Sequence, residues 1–577
     1  MKLLCLTAMM LVACTTAPAG TRAAGALAAQ VPATWPHTTL RATEAAHALV
    51  TTDAPLATAV GVEVLRGGGN AVDAAVATAF ALAVVYPEAG NIGGGGFLVV
   101  RMADGTTAAL DFREKAPLAA TRDMYLDSAG NLTNRSVIGH LASGVPGSVM
   151  GLREAHRRFG TKPWAELIAP AIRLANEGFT VGETLARSIN EAADRLRRFD
   201  ASAALFLPGG APPPAESRWR NPELAAVLRR IATQGPAGFY QGETAELIVA
   251  EMRRGGGIIT HEDLKRYRAE WRDPIVIDYR GHRIISMPPA SSGGITLAVM
   301  ANVLEGYRPG RLGWHAPAAL HLTAEAMRRA FADRNHFLGD PAFVRFPRDM
   351  LVSQAYADRL RTTIDSARAT PSLEIRPGLG QTQEPEHTTH FSVVDEKGNA
   401  VALTTTINEL YGSAVTVTGA GFLLNDQMDD FTTKPGTPNL VGLVQGEANA
   451  IRPEKRMLSA MTPTIVLDRD ERVLMVTGAR GGPRIITAVF QVISNVIDYG
   501  MDVASAVAAP RTHHQHLPDV LYYERDGLPD NVVRSLEALG HRVEARGPIG
   551  TAPTILRHRG VWTGVADPRT GGAAAGY

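Results

Sequence analysis

Cysteine is nearly missing from this chain: of 577 residues only Cys5 and Cys14 carry a thiol. Both precede every segment patterned to fold, which excludes disulfides and thiolate metal clusters from the folded part. An excess of either charge is missing too. With 58 basic and 57 acidic residues, formally +1, no sequence-wide field draws the chain to nucleic acid or an anionic membrane. The common catalytic signatures G-x-S-x-G, G-x-x-x-x-G-K-[ST] and H-E-x-x-H do not occur, which argues against an α/β-hydrolase, a P-loop NTPase and a zincin respectively. No uncharged apolar run reaches roughly eighteen residues, so no segment beyond the N-terminus is expected to span a bilayer. What is present is an ordinary globular composition, 45% hydrophobic and 20% charged, on a chain long enough for a large core. The start, MKLLCLTAMMLVAC, has one lysine, a short apolar run and small residues at its end, as a secretory signal does.

Periodicity organises the rest. The stretch 55-PLATAVGVEVLRGGGN-70 reads as a helix stopped by glycines; 70-NAVDAAVATAFALAVVYP-87 reads as a buried helix with Asn70 as N-cap and Asp73 at its third position. The Gly-rich 90-GNIGGGGFLVVRM-102 leads into a strand whose hairpin partner is 106-TTAALDF-112, with Arg113 at the strand end. Gly93 to Gly96 follow a helix and open a strand, the reverse of a dinucleotide-binding loop. Amphipathic helices dominate 147–269, a hairpin spans 274–288 and helices follow near 295–306 and 316–338. The segment 366–387 loses all periodicity and is expected to be an exposed connector.

After the connector the pattern becomes strand, turn, strand. Taking Lys397-Gly398 as a two-residue turn pairs 389-THFSVVDE-396 with 399-NAVALTTT-406 and sets Thr389 opposite Thr406. Alternation then puts Thr404, Thr406 and Asn408 on one face. A threonine hydroxyl is a weak nucleophile without a base, and no histidine or lysine is placed beside it by pattern alone. The residue's own α-amino group can serve once it is chain-terminal, which requires a cut before Thr388, where the connector ends. Three further stretches are odd for mere structure: 421-GFLLNDQMDDF-431, a strand ending in polar residues; 456-RMLSAMTPT-464, with Ser459 and Ala460 in a loop; and 477-TGARGGPRI-485, with Gly481-Gly482 opening a helix. Backbone N–H groups left free at such a helix start can stabilise an oxyanion. The histidines of 511-RTHHQHLPD-519 lack a helical spacing or a clear carboxylate partner, so packing near a domain surface is expected of them rather than zinc, and no metal or other cofactor is expected.

Taken together, 387-HTTHFSVVDEKGNAVALTTTINELYGS-413, 422-FLLNDQMDDF-431, 455-KRMLSAMTPTIV-466, 475-MVTGARGGPRII-486 and 509-APRTHHQHLPD-519 resemble the small subunit of gamma-glutamyltranspeptidases, or glutathione hydrolases. The resemblance extends upstream through 89-AGNIGGGGF-97, 111-DFREKAP-117, 143-SGVPGSVMGL-152 and 288-PPASSGGI-295, and ends at 566-ADPRTGGAAAGY-577. It implies an N-terminal nucleophile hydrolase of α+β class, a four-layer αββα sandwich in which both processed subunits build one core. The proenzyme would cut itself between His387 and Thr388 into a large subunit, 25–387, and a small catalytic subunit, 388–577, that stay together as a heterodimer. Thr388 would attack glutathione or another γ-glutamyl compound and pass the γ-glutamyl group to water or to an amino acid or dipeptide. By the same resemblance Thr406 contacts the nucleophile, Gly481 and Gly482 form the oxyanion hole, Arg113 clamps the substrate α-carboxylate, and Asn408, Gln427 and Asp430 receive its α-ammonium. Leu11-Val12-Ala13-Cys14 resembles a bacterial lipobox, implying an exported protein, periplasmic or lipid-anchored through Cys14; an ordinary signal within 1–24, cut near Ala19 or Ala24, is the other reading.

Two positions depart from the family pattern. Ser459 fits the first of two serines, but the second is Ala460, which removes one hydroxyl for the α-carboxylate; a hydrogen bond to a charged group is worth roughly 1.5–3 kcal/mol, unless the backbone N–H at 460 does most of that work. Val441 stands in a lid-like segment where bacterial relatives often carry an aromatic gate. A cephalosporin or glutaryl amide acylase on the same fold is the neighbouring alternative, and an uncut, non-catalytic envelope lipoprotein that binds amino-acid derivatives is the alternative from another class.

Overall fold

The computed structural model describes residues 31–375, 387–434 and 446–577. The signal-like segment with Cys14, and Val441, lie outside the described residues. The helix Ala71–Val85 begins as its sequence requires: the Asn70 side chain accepts from the Val72 and Asp73 N–H groups, each at 2.9 Å, and Asp73 accepts from the Asn70 N–H at 3.0 Å. Both halves of a capping box are closed. All of its residues are buried, as a helix apolar on every side must be.

Two seven-stranded sheets form the centre. The first runs, edge to edge, Ala573–Gly576, Leu49–Thr52, His387–Val394, Ala400–Asn408, Gly95–Arg101, Thr107–Asp111, Glu270–Arg272. The second runs Thr43–Ala45, Val561–Val565, Thr554–His558, Val473–Thr477, Thr464–Leu467, His282–Ser286, Ile275–Tyr279. Strand alternation divides the first sheet between two cores. Val50, Leu98, Val100, Phe391, Val393 and Leu403 pack with the helices Ala71–Val85, Trp164–Glu177 and Pro222–Gln234. Leu49, Phe97, Val99, Val394 and Ala402 face the second sheet, in a core that continues to the helices Gly293–Glu305 and Arg484–Ile497. The result is a four-layer αββα sandwich of α+β class, with residues from both sides of position 388 in each core. Among the described residues no helix is long and apolar enough to cross a membrane.

Two sequence expectations need correction. The hairpin register is off by one: Thr389 pairs with Thr405, and Val394 with Ala400. The turn is not the two-residue type; Asp395 bonds back to Asn399 at 3.1 Å, and Gly398 has φ 88°, which is a three-residue loop with a left-handed glycine. The connector is also not exposed throughout. Residues 366–375 are docked: the Ala369 N–H bonds to the Leu539 carbonyl at 2.7 Å, the Ser372 N–H to Asp519 at 2.8 Å, and Thr370 Oγ1 to Glu325 at 2.6 Å. The aperiodic pattern concealed side chains and main chain held by polar partners rather than by an apolar stripe.

Candidate active site

Thr388 occupies an irregularity in the central hairpin. His387 pairs with Asn408 but Thr389 with Thr405, so Thr406 and Ile407 together face Thr388, a bulge of the kind that re-aims a side chain. The bulge brings Thr388 rather than Thr389 to Thr406: Thr388 Oγ1 donates to Thr406 Oγ1 at 3.4 Å, and Thr406 Oγ1 also accepts the Asn408 N–H at 2.8 Å. Asn408 has φ 82°, and its Nδ2 donates to the Asp426 carbonyl at 3.1 Å. Thr404 bonds His390 Nδ1 at 2.8 Å and is not part of the cleft.

A small cleft opens over this bulge. Thr388, Thr406, Asn408, Gln427, Asp430 and Arg113 line it, together with Ser459, Ala460 and Gly482. Met461 and Ile485 complete the wall; nothing in their local sequence distinguishes them from core residues. Gly481 lines the adjoining depression beside Arg480 and Arg484.

The charges of the cleft are a matched pair. Arg113 follows the strand Thr107–Asp111; its N–H bonds Asp111 at 3.0 Å and its carbonyl accepts from the Tyr267 hydroxyl at 2.8 Å. Its guanidinium reaches Asp430, with Glu114 3.6 Å away. Asp430 closes the short turn Gln427–Asp430, takes a second bond from Gln427 Nε2 at 2.9 Å, and is raised above the usual carboxylate range by burial, against the pull of Arg113. Glu114 is wholly buried, makes no side-chain hydrogen bond among the described residues, and is pushed up to about 8 by burial. At neutral pH it is largely protonated, which leaves Arg113 and Asp430 as a one-to-one pair. Asn449, absent from the sequence-derived set, ties this acidic turn to the loop opposite: its Nδ2 donates to the Asp430 carbonyl at 2.6 Å and its Oδ1 accepts the Leu458 N–H at 2.9 Å.

That loop is held from behind. The Ser459 carbonyl accepts from the N–H and hydroxyl of Ser292 at 2.7 and 2.6 Å, and its N–H bonds the Ala290 carbonyl at 3.0 Å. Ser459 Oγ accepts from the Met461 N–H at 3.1 Å. The Ala460 N–H, by contrast, donates to nothing among the described residues, and Ala460 lines the cleft. Across from it, Gly481 and Gly482 have φ 127° and 58°, and a Cβ on Gly481 would stand 2.9 Å from Gly550 Cα. Neither of their N–H groups is bonded among the described residues, and the helix Arg484–Ile497 starts just beyond. The arrangement therefore offers a hydroxyl at a chain bulge, a cation and an anion for a zwitterion, and free backbone donors.

The histidine cluster is buried, not near a surface, and His514 does have a carboxylate partner, Asp519 at 3.2 Å. His513 bonds Thr487 at 2.9 Å and Gln515 at 2.8 Å, and His516 the Ser372 carbonyl at 2.8 Å. Among the described residues, His321, Glu325 and His541 converge closely enough to ligate an ion. Glu325 is already paired there with Arg328 and Arg329, and two guanidiniums repel a cation from that position.

Comparison with known proteins agrees with this geometry. The Gamma-glutamyltranspeptidase family profile matches residues 57–577. The glutathione hydrolase proenzyme of Escherichia coli strain K12 is 47% identical over 517 residues, 89% of each chain. The acylase ACY 1 proenzyme of Pseudomonas sp. strain SE83 is 40% identical over 502 residues, 86% of this chain and 87% of its own. The crystal structure of cephalosporin acylase from Bacillus halodurans superimposes with a TM-score of 0.82 at 29% identity, covering 95% of this chain and 99% of that one.

Proposed function

Since the chain belongs to the gamma-glutamyltranspeptidase family and is an enzyme, we propose that it cuts itself at His387–Thr388 and uses the new terminus to hydrolyse or transfer the γ-glutamyl group of glutathione and related amides. Cutting gives Thr388 a free amine, which takes the proton from its own Oγ1 as that oxygen adds to the γ-carbonyl. The negative oxygen formed is held by the N–H groups of Gly481 and Gly482. The departing amine takes the proton as the C–N bond breaks and leaves a γ-glutamyl ester on Thr388. Water, or the amine of an amino acid or dipeptide, then attacks that ester, and the Thr388 amine again moves the proton. Residues 1–24 direct export, and the two fragments remain one particle because each contributes to both cores.

The observation that carries the choice of substrate is the Arg113–Asp430 pair on the wall of the Thr388 cleft. A γ-glutamyl head group presents one carboxylate and one ammonium, which divide between guanidinium and carboxylate without leaving a buried charge unmatched. Gln427 and Asn408 add acceptors on the ammonium side, and Ser459 Oγ with the Ala460 N–H adds donors on the other. A glutaryl side chain has no ammonium, so Asp430 would face it unmatched. Comparing kcat/KM for γ-glutamyl-p-nitroanilide and glutaryl-p-nitroanilide tests this. A preference for the γ-glutamyl compound is expected; a preference for the glutaryl compound would assign the acylase activity instead.

A further inference from the structure

The depression that adjoins the cleft takes no part in the chemistry above. Arg480, Arg484, Arg546 and Arg569 line it, and among the described residues none of its lining side chains is acidic. Main-chain geometry sets its place. Gly482 lines the Thr388 cleft, while Gly481, one residue back, lines the depression. Arg480 is bridged to Thr551 by N–H to carbonyl bonds in both directions, at 3.0 and 3.1 Å, and both residues belong to the depression wall. The turn assigned above to the oxyanion is therefore a wall shared by cleft and depression.

The arginines differ in how far they are already committed. Arg569 is held by structure: it bonds Glu524 at 2.7 and 2.6 Å, Asp567 at 3.1 Å and the carbonyls of Val507 and Ala509, each at 3.0 Å. Arg480 is not. Its side chain is 21% exposed, and it bonds the Tyr86 hydroxyl and, at 3.4 Å, the buried Glu88, both through Nη1. Its Nε and Nη2 donors make no hydrogen bond among the described residues. Arg546 ends the strand Val543–Arg546, half-buried, with its guanidinium 4.8 Å from the centre of the Tyr522 ring. Planar guanidiniums with unspent donors suit a carboxylate.

Glutathione carries such a group on the part that leaves. Its cysteinyl-glycine portion ends in a carboxylate about 7 Å beyond the scissile nitrogen, and Arg480 precedes Gly482 by two residues, a span of chain of at most about 7 Å. The geometry points to this depression as the subsite for the carboxylate of the leaving dipeptide, with Arg480 and Arg546 as its cations; an acceptor dipeptide then places its own carboxylate there. The inference rests on the γ-glutamyl reading above and extends it to the other end of the substrate: the Arg113–Asp430 pair takes the glutamyl end, the depression the dipeptide end.

Three donors test it with the full-length protein: glutathione, glutathione with its glycine carboxylate converted to a carboxamide, and γ-glutamyl-p-nitroanilide, whose leaving group has no carboxylate. In the wild type kcat/KM for glutathione should exceed that for its carboxamide about tenfold, as loss of a hydrogen bond to a charged group requires. Arg546→Gln and Arg480→Gln should each shrink that ratio severalfold, and Arg546→Gln should leave turnover of the anilide little changed. Because Arg480 adjoins Gly481, its substitution can also slow every donor; the ratio of glutathione to carboxamide cancels such a general loss. If Arg480→Gln stays uncut on a gel, Arg546→Gln alone decides. A wild-type ratio near one, or a ratio that the substitutions do not move, overturns the proposal. A wild type that turns over neither glutathione nor the anilide would instead remove the γ-glutamyl reading on which it rests.

Discussion

Asp430→Asn tests the zwitterion cleft most sharply. Asp430 accepts from Arg113 and from Gln427 at 2.9 Å, and the amide oxygen of asparagine can keep both bonds. The perturbation is therefore the loss of one negative charge with little change in shape. A hydrogen bond to a charged group contributes roughly 1.5–3 kcal/mol, and about 1.4 kcal/mol corresponds to tenfold. The variant should lose roughly ten- to a hundredfold in kcat/KM for γ-glutamyl-p-nitroanilide. For glutaryl-p-nitroanilide the same change removes an unmatched anion, so kcat/KM should hold or rise. Steady-state rates of nitroaniline release for both substrates give the comparison, and thermal unfolding shows whether the buried pair was needed for folding, where loss of one partner can cost about 3–5 kcal/mol. An equal fall for both substrates in a stably folded variant would refute the assignment of Asp430 to the ammonium.

Other outcomes follow from the same geometry. Ala460→Ser places a hydroxyl on the cleft wall beside a free N–H; KM for γ-glutamyl-p-nitroanilide should fall severalfold, whereas no change would mean the N–H already saturates that carboxylate. Burial lowers His390 and His541 to about 3 and His514 to about 4. A histidine lowered in the fold stays neutral there while the unfolded chain takes up its proton. Stability from these groups is therefore complete above about pH 6.5 and is lost as pH falls from there toward 4, by up to about 1.4 kcal/mol per pH unit for each histidine. Calorimetric unfolding between pH 7 and 4 measures this, and His390→Gln should reduce the slope by about one proton; an unchanged slope would place the acid sensitivity elsewhere.

How far the sequence carried depended on whether the determining contacts were local. The helix Ala71–Val85 was legible because its cap and its apolar surface lie within one stretch. The strand Gly95–Arg101, its partner Thr107–Asp111 and Arg113 beyond them were legible for the same reason. The register of the central hairpin was not, since two- and three-residue loops both suit a Lys-Gly pair and only the left-handed Gly398 decides between them. The bulge at Thr388 then brings its hydroxyl, rather than that of Thr389, to Thr406. Val441 lies outside the described residues. Asn449 could not be found by pattern at all: it acts through the Asp430 carbonyl, 19 positions away. The pairing of Arg113 with Asp430 is of the same kind, joining residues 317 positions apart. Family resemblance supplied both residues, and the structure supplies the reason they belong together.

The central claim is that the Thr388 hydroxyl becomes a nucleophile only when its own residue is a chain end. N-terminal sequencing of the smaller band from active, purified protein measures this directly, alongside Thr388→Ala. The account predicts a fragment that starts Thr388-Thr389-His390, and a variant that stays full length and inactive. Full turnover by protein whose His387–Thr388 bond is intact would contradict it.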